Sequence, residues 1–261
     1  MTASPDPEFL LLEDGRRIAY HATPASGQRP GAPGVVFLGG FRSDMTGTKA
    51  MFLEAACRRR GLAFIRFDYT GHGASSGDFE ADGCIGQWAR DAQDAVTRLT
   101  EGPQVLIGSS MGGWISLLLA KRLPERVAAL IGIAAAPDFT QDGMEAGFDA
   151  AQRAEMAATG RVALPSDYSD EPYVITAKLI DDGREHLVLR EPLPLPFPVR
   201  LLQGSADVDV PQERALAILA HADCPDLRLQ LVKGADHRFS EPRELAILEA
   251  TLDEVLAAGA P

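Results

Sequence analysis

The chain has 261 residues, enough for one large α/β domain or two small ones, and 46% of them are hydrophobic, as in a globular protein with a full core. A formal net charge of −12 argues against a nucleic-acid partner, because phosphate binding needs a basic surface. Cys57, Cys84 and Cys224 are spaced too widely for a disulfide framework or a metal cluster, and they suit a reducing compartment.

Residues 1–8 have neither a basic nor an apolar region of the kind a signal peptide carries, and the longest apolar run, 127–136, is too short to span a bilayer. The expectation is a soluble, cytoplasmic protein. Strand-like runs at 9–12 and 17–20 flank Asp14-Gly15, a hairpin signal. A Pro/Gly-rich connection, 24–34, leads to the fully apolar run 35–38, which reads as a strand buried on both faces. A helix is expected over 48–60, a strand over 63–67, a glycine-rich loop over 68–77 and a helix over 85–99. A strand at 105–107, a helix reaching 122 and a strand from 127 continue the alternation. Apolar strands alternating with amphipathic helices predict right-handed βαβ units, hence a doubly wound α/β fold with a mostly parallel sheet.

The rhythm breaks after Pro137. Over 138–198 no further buried strand is expected. A helix is read at 144–159, a helix or strand at 173–180, a turn at 181–184 and a short strand at 186–190. Prolines 192, 194, 196 and 198 alternate with apolar residues, which makes an extended tether. The segment is read as an inserted lid on a core formed by 1–137 and 199–261, since a structureless insert of this length is uncommon unless functional. The core resumes with a strand at 199–202, a helix at 211–220, a strand at 227–232 and a terminal helix at 242–257.

Between the strand at 105–107 and the helix that follows lies Gly108-Ser109-Ser110-Met111-Gly112. A Gly-x-Ser-x-Gly set at a strand-to-helix turn is a nucleophile elbow; the sharp turn crowds the residues at −2 and +2, and glycine removes the clash. Ser110 has glycines at both places, whereas Ser109 would have Ile107 and Met111. Ser110 is therefore the expected nucleophile. A hydroxyl needs a base, and His237 follows a late strand, on the side where the elbow opens. His72, in the glycine-rich loop, is its rival. His21 and His221 are read as solvated, and His186 as a lid residue that could touch substrate. Asp207, after the strand at 199–202, is the expected orienting acid, with Asp209, Asp138 and Asp236 as competitors. Backbone N–H groups of Phe41 and Met111 are the expected oxyanion hole, Phe41 following Gly39-Gly40 after an early strand. The loop at 68–77 lacks P-loop spacing and is read as a wall of the site. The chemistry requires no cofactor, and no metal-ligand spacing is seen.

Gly39-Gly40-Phe41, residues 68–77, the elbow at Ser110, Asp207-x-x-Val210-Pro211 and Gly234-x-x-His237 together resemble the α/β-hydrolase superfamily over nearly the whole chain. One departure is Gly39, where many members carry histidine. Residues 41–50, 108–114 and 179–184 look like the abhydrolase-domain palmitoyl-protein thioesterase and acyl-glucuronide esterase group. That resemblance implies hydrolysis of acyl esters or thioesters of small-molecule or acylated-protein substrates. A thioesterase and a small-ester or acyl-glucuronide carboxylesterase are not separable at this level. A non-catalytic binding module on the same fold is the alternative from another class, and a peptidase or carbon–carbon bond hydrolase is a third.

Overall fold

A computed structural model describes residues 6–26, 32–165 and 172–258. Parts of the expected 24–34 connection and of the expected lid lie outside the described residues. β1 (Glu8–Leu11) and β2 (Arg17–Thr23) form the opening hairpin. There follow β3 (Gly34–Leu38), α1 (Thr48–Arg60), β4 (Phe64–Phe67), α2 (Phe79–Asp82), α3 (Ile85–Leu99), β5 (Gln104–Ser109), α4 (Met111–Arg122) and β6 (Val127–Ile133). The chain then runs through α5 (Ala150–Thr159), β7 (Arg161–Leu164), β8 (Tyr173–Thr176) and α6 (Ala177–Arg184). It closes with β9 (Val199–Gly204), α7 (Gln212–His221), β10 (Leu227–Val232) and α8 (Pro242–Ala258).

Eight strands form one sheet in the order β1-β2-β4-β3-β5-β6-β9-β10. All neighbours from β4 to β10 are parallel, while β2 is antiparallel to both β1 and β4. β3, β4, β5 and β9 are buried at every position because helices cover both faces of the sheet. On one face α3 and α4 bury Trp88, Ala92, Trp114 and Leu117; on the other α1 and α8 bury Leu53, Leu248 and Leu252. Residues 111–120 of α4 are all buried, which is why that helix is apolar on every side rather than amphipathic. The doubly wound fold and the helices at 48–60 and 85–99 are as the sequence predicts. Parallel pairing sends the carboxyl ends of β3, β5, β9 and β10 to one edge of the sheet, where ligands bind in such folds.

The described residues of the 138–198 segment add no strand to this sheet, but they hold more regular structure than expected. β7 and β8 pair antiparallel as a separate two-stranded sheet. The predicted helix at 144–159 is two elements. Thr140–Glu145 is a π-helical turn, and α5 starts only at Ala150, where Asp149 and Gln152 cap one another reciprocally at 2.8 and 2.9 Å. The ambiguous run 173–180 is both a strand and a helix, divided by Thr176, whose hydroxyl caps α6. Residues 181–184 are the last turn of α6, not a loop. The strand expected at 186–190 is absent: the Val188 and Leu189 amides donate to the buried Asp138 carboxylate at 2.8 and 3.1 Å instead of to a ladder. Along the proline tether Leu193, Leu195 and Phe197 are buried, and Leu193 and Leu195 exchange backbone hydrogen bonds with Asp223 at 2.9 Å, so the prolines face outward. His21, read as solvated, is buried: β2 lies inside the sheet, not at its edge, and His21 stands opposite Arg66 of β4.

Candidate active site

The elbow is a close-packed turn. Ser110 links β5 to α4 with φ 55° and ψ −118°, a conformation a side chain rarely adopts. Its amide donates to Ile133 O at 2.9 Å and its carbonyl accepts from Ala136 at 3.1 Å, which ties the turn to the end of β6. A Cβ on Gly108 would stand 2.3 Å from Gly112 O, and one on Gly112 would stand 2.1 Å from Leu38 O. The two glycines are therefore a packing requirement of the turn, as the motif implies.

Gly40 brings the loop after β3 against this serine: a Cβ there would lie 3.4 Å from Ser110 Cβ. The glycine-rich loop braces the same segment from behind. Met45 N–H donates to Asp68 Oδ1 at 2.7 Å, Ala74 N–H to Asp68 Oδ2 at 2.8 Å, and Arg42 N–H to His72 Nε2 at 3.2 Å. Arg42 is held at φ 56° by that bond. Among the described residues, neither the Phe41 nor the Met111 amide donates to a protein acceptor, so both remain available next to Ser110.

His237 Nδ1 donates to Asp207 Oδ2 at 3.0 Å, which leaves the Nε2 lone pair of that tautomer for a proton. The Asp207 carboxylate also accepts from the Val210 amide at 2.8 Å, the Asp209 amide at 3.0 Å and Gln203 Nε2 at 3.0 Å. Burial pushes this carboxyl up, but the bonds from His237, Val210 and Gln203 outweigh it and hold it below the usual range. Ser110, His237, Gly40 and Phe41 line one cavity of about 620 Å³, walled on the far side by Phe139, Met144, Leu164 and Tyr173 of the 138–198 segment.

Most of the competing residues are engaged elsewhere. His72 is buried among Tyr69, Phe79 and Trp88, its Nε2 accepts from Arg42, and burial pushes its pKa down to about 4. Asp138 organises residues 188–190, and Asp236 is exposed and accepts from the Phe239 amide. Asp209 is exposed but borders the cavity. His186 bonds the Asp182 carbonyl and borders a different groove beside α4 and α6; His221 is exposed, near the Glu191 carbonyl. The cysteines are free; burial pushes the Cys57 thiol up to about 12, which leaves it unreactive at neutral pH.

Three residues were not anticipated. Gln203, a polar residue inside the buried strand β9, donates to both Asp207 and Val210 O; an amide directly after the apolar pair Leu201-Leu202 was the available signal. Arg42 lies in the cavity wall with its guanidinium over the Phe79 and Tyr173 rings. Lys49 lines the cavity as well, its amine pushed down to about 8 by burial. Ligand atoms of Asp207, Asp209 and His237 come within 4.8 Å of one another. Yet Asp207 already accepts four hydrogen bonds and His237 spends Nδ1 on it, a donor set built for a histidine–carboxylate pair rather than a metal.

The profile described as "Alpha/beta hydrolase family" matches residues 35–248. The chain is 39% identical over 225 residues to the mitochondrial palmitoyl-protein thioesterase ABHD10 of Rattus norvegicus, covering 86% of this chain and 75% of that protein. A putative hydrolase from Agrobacterium vitis S4 superposes with a TM-score of 0.90 at 38% identity, covering 97% of this chain and all of that one. Mouse alpha/beta hydrolase domain-containing protein 10 superposes with a TM-score of 0.89 at 35% identity, covering 98% of this chain and all of that one. Among the described residues no helix is long and apolar enough to cross a membrane.

Proposed function

We propose that this chain, which is a hydrolase and belongs to the alpha/beta hydrolase family, cleaves acyl thioesters and carboxylic esters through Ser110, His237 and Asp207. The observation that carries this reading is the 3.0 Å His237–Asp207 bond in the cavity that holds the strained Ser110. In the proposed cycle His237 Nε2 takes the Ser110 proton as the hydroxyl attacks the acyl carbonyl. Asp207 fixes the tautomer and stabilises the imidazolium. The Phe41 and Met111 amides receive the oxyanion. Collapse of the adduct returns the proton from His237 to the leaving group, and water, activated by His237, then hydrolyses the acyl-enzyme.

Residues 1–137 and 199–261 serve as the core in this reading, and 138–198 as the lid. Phe139, Met144, Leu164 and Tyr173 give the lid an apolar wall suited to an acyl chain. The rat relative's name supports an acyl-protein thioesterase; a small-ester or acyl-glucuronide carboxylesterase uses the same machinery. The free cysteines suit a reducing compartment, the cytoplasm in the sequence reading; the rat relative carries a mitochondrial name, and cell fractionation decides between them.

Labelling with a fluorophosphonate probe tests the assignment. Wild type is expected to form one adduct and Ser110→Ala none, with circular dichroism showing both folded. Labelling that persists in Ser110→Ala sinks the nucleophile, and an inert wild type favours a non-catalytic module. S-palmitoyl peptides assayed beside p-nitrophenyl esters of rising chain length then separate thioesterase from carboxylesterase.

A further inference from the structure

Arg42 follows Phe41 in the loop that lies against Ser110, and its side chain lines the same cavity as Ser110 and His237. Its carbon Cζ sits 4.5 Å from the Phe79 ring centroid and 5.3 Å from that of Tyr173, so core and lid aromatics hold the guanidinium plane between them. Its Nε is buried and has no hydrogen-bond partner. Among the described residues no carboxylate pairs with this guanidinium. The neighbouring groups do not supply one: Asp44, in the same wall, accepts from the Thr46 amide and hydroxyl at 2.7 and 2.5 Å, and Lys49 turns its ammonium to the Arg238 carbonyl. The backbone is equally fixed, with φ 56° and the amide bonded to His72.

A buried donor without an acceptor is costly, and a strained, stacked cation needs a reason to persist beside a reactive serine. We propose that Arg42 is a carboxylate subsite of the Ser110 cavity, so that the preferred substrates are esters or thioesters carrying a free carboxylate. The planar fork matches a carboxylate edge, and its single charge matches one carboxylate rather than a dianionic phosphate. On a chain with net charge −12 the general field repels anions, so this preference must be local. The inference rests on Ser110 being the nucleophile.

Two matched pairs of substrates test it and distinguish an anion on the acyl side from one on the leaving group. They are 4-nitrophenyl hemiglutarate against its methyl ester, and 4-carboxyphenyl butyrate against its methyl ester. For at least one pair the anionic-to-neutral ratio of kcat/KM is expected to fall about 10- to 100-fold in Arg42→Gln relative to wild type, with partial recovery in Arg42→Lys. Taking the ratio cancels intrinsic reactivity and any general damage to the loop. Unchanged ratios in both pairs overturn the subsite. Should Arg42→Gln fail to fold, inhibition of wild type by monomethyl glutarate against dimethyl glutarate decides: stronger inhibition by the anion supports the subsite, and equal inhibition overturns it. Loss of neutral-ester turnover in Ser110→Ala tests the nucleophile separately.

Discussion

His237 Nδ1 and Asp207 Oδ2, 30 positions apart in the chain, meet at 3.0 Å at the carboxyl ends of two adjacent parallel strands, β10 and β9. The Asp207 side chain is fully buried there and His237 is only 18% exposed. Both residues stand in the loops that leave the two strands, and hydrogen bonds from the Val210 amide and from Gln203 of β9 fix the carboxylate in place.

If Asp207 orients the base, Asp207→Asn should present the wrong tautomer and lower kcat by about 10⁴ while the fold is kept. Asp138→Ala should behave in the opposite way. It leaves the Val188 and Leu189 amides unpaired and lowers stability by about 2–5 kcal/mol, yet changes kcat on p-nitrophenyl acetate by less than about tenfold. Urea midpoints and steady-state kinetics on both variants check this, and a larger kcat loss in Asp138→Ala would falsify the assignment.

Gly112 lies in the first turn of α4, where alanine ordinarily stabilises a helix by up to about 1 kcal/mol. Here a Cβ would meet Leu38 O at 2.1 Å, a backbone atom of a buried strand that cannot yield. The clash wins, so Gly112→Ala is expected to cost more than about 3 kcal/mol and to lose activity with soluble yield. A neutral or raised urea midpoint contradicts this packing argument.

His72 gives a pH dependence with a definite sign. Its folded-state pKa, pushed down to about 4 by burial, lies below the unfolded value near 6.5. The unfolded chain therefore binds the proton first. The His72 contribution is fully present above about pH 6.5 and is lost as pH falls toward 4, on the order of 3 kcal/mol across that window. Wild type should lose stability more steeply than His72→Gln between pH 6.5 and 4 in urea titrations. Parallel curves would mean that the buried ring is not what senses the proton.

Gly143 borders the cavity from the 138–198 segment, and a Cβ there would come only to 3.9 Å of Phe139 Cβ, so a larger side chain can enter. Gly143→Phe should fill part of the apolar wall. The expected result is about a tenfold or greater loss of kcat/KM on p-nitrophenyl palmitate, with p-nitrophenyl butyrate little affected. Equal losses on both esters would place the acyl chain elsewhere.

Much of this was legible locally. Gly108 announces the turn because the clash it avoids, with Gly112 O, is between near neighbours in sequence, whereas the Leu38 carbonyl that excludes a Cβ from Gly112 comes from a distant strand. The apolar runs 35–38 of β3 and 105–107 of β5 announce a sheet covered on both faces because burial acts on every side chain. The 138–198 segment was less legible. Among the described residues β7 and β8 pair only with each other, and residues 188–190 donate their hydrogen bonds to Asp138, a side chain some 50 positions away. No periodicity of 2 or 3.6 records such a partner.

The sequence by itself determined most elements of the eight-stranded core, the elbow and the short list of residues able to serve it, since these follow from steric and burial rules within a few residues. Only the tertiary structure decided among the members of that list. Asp207 and His237 meet because β9 and β10 are neighbours in the sheet. Asp138 and His72, equally suitable as chemistry, are buried against amides at 188–189 and at Arg42. Arg42 faces the cavity because His72 holds its backbone and two aromatic rings hold its side chain. Each of these outcomes depends on strand order and on contacts between distant segments, which are fixed only when the whole sheet closes.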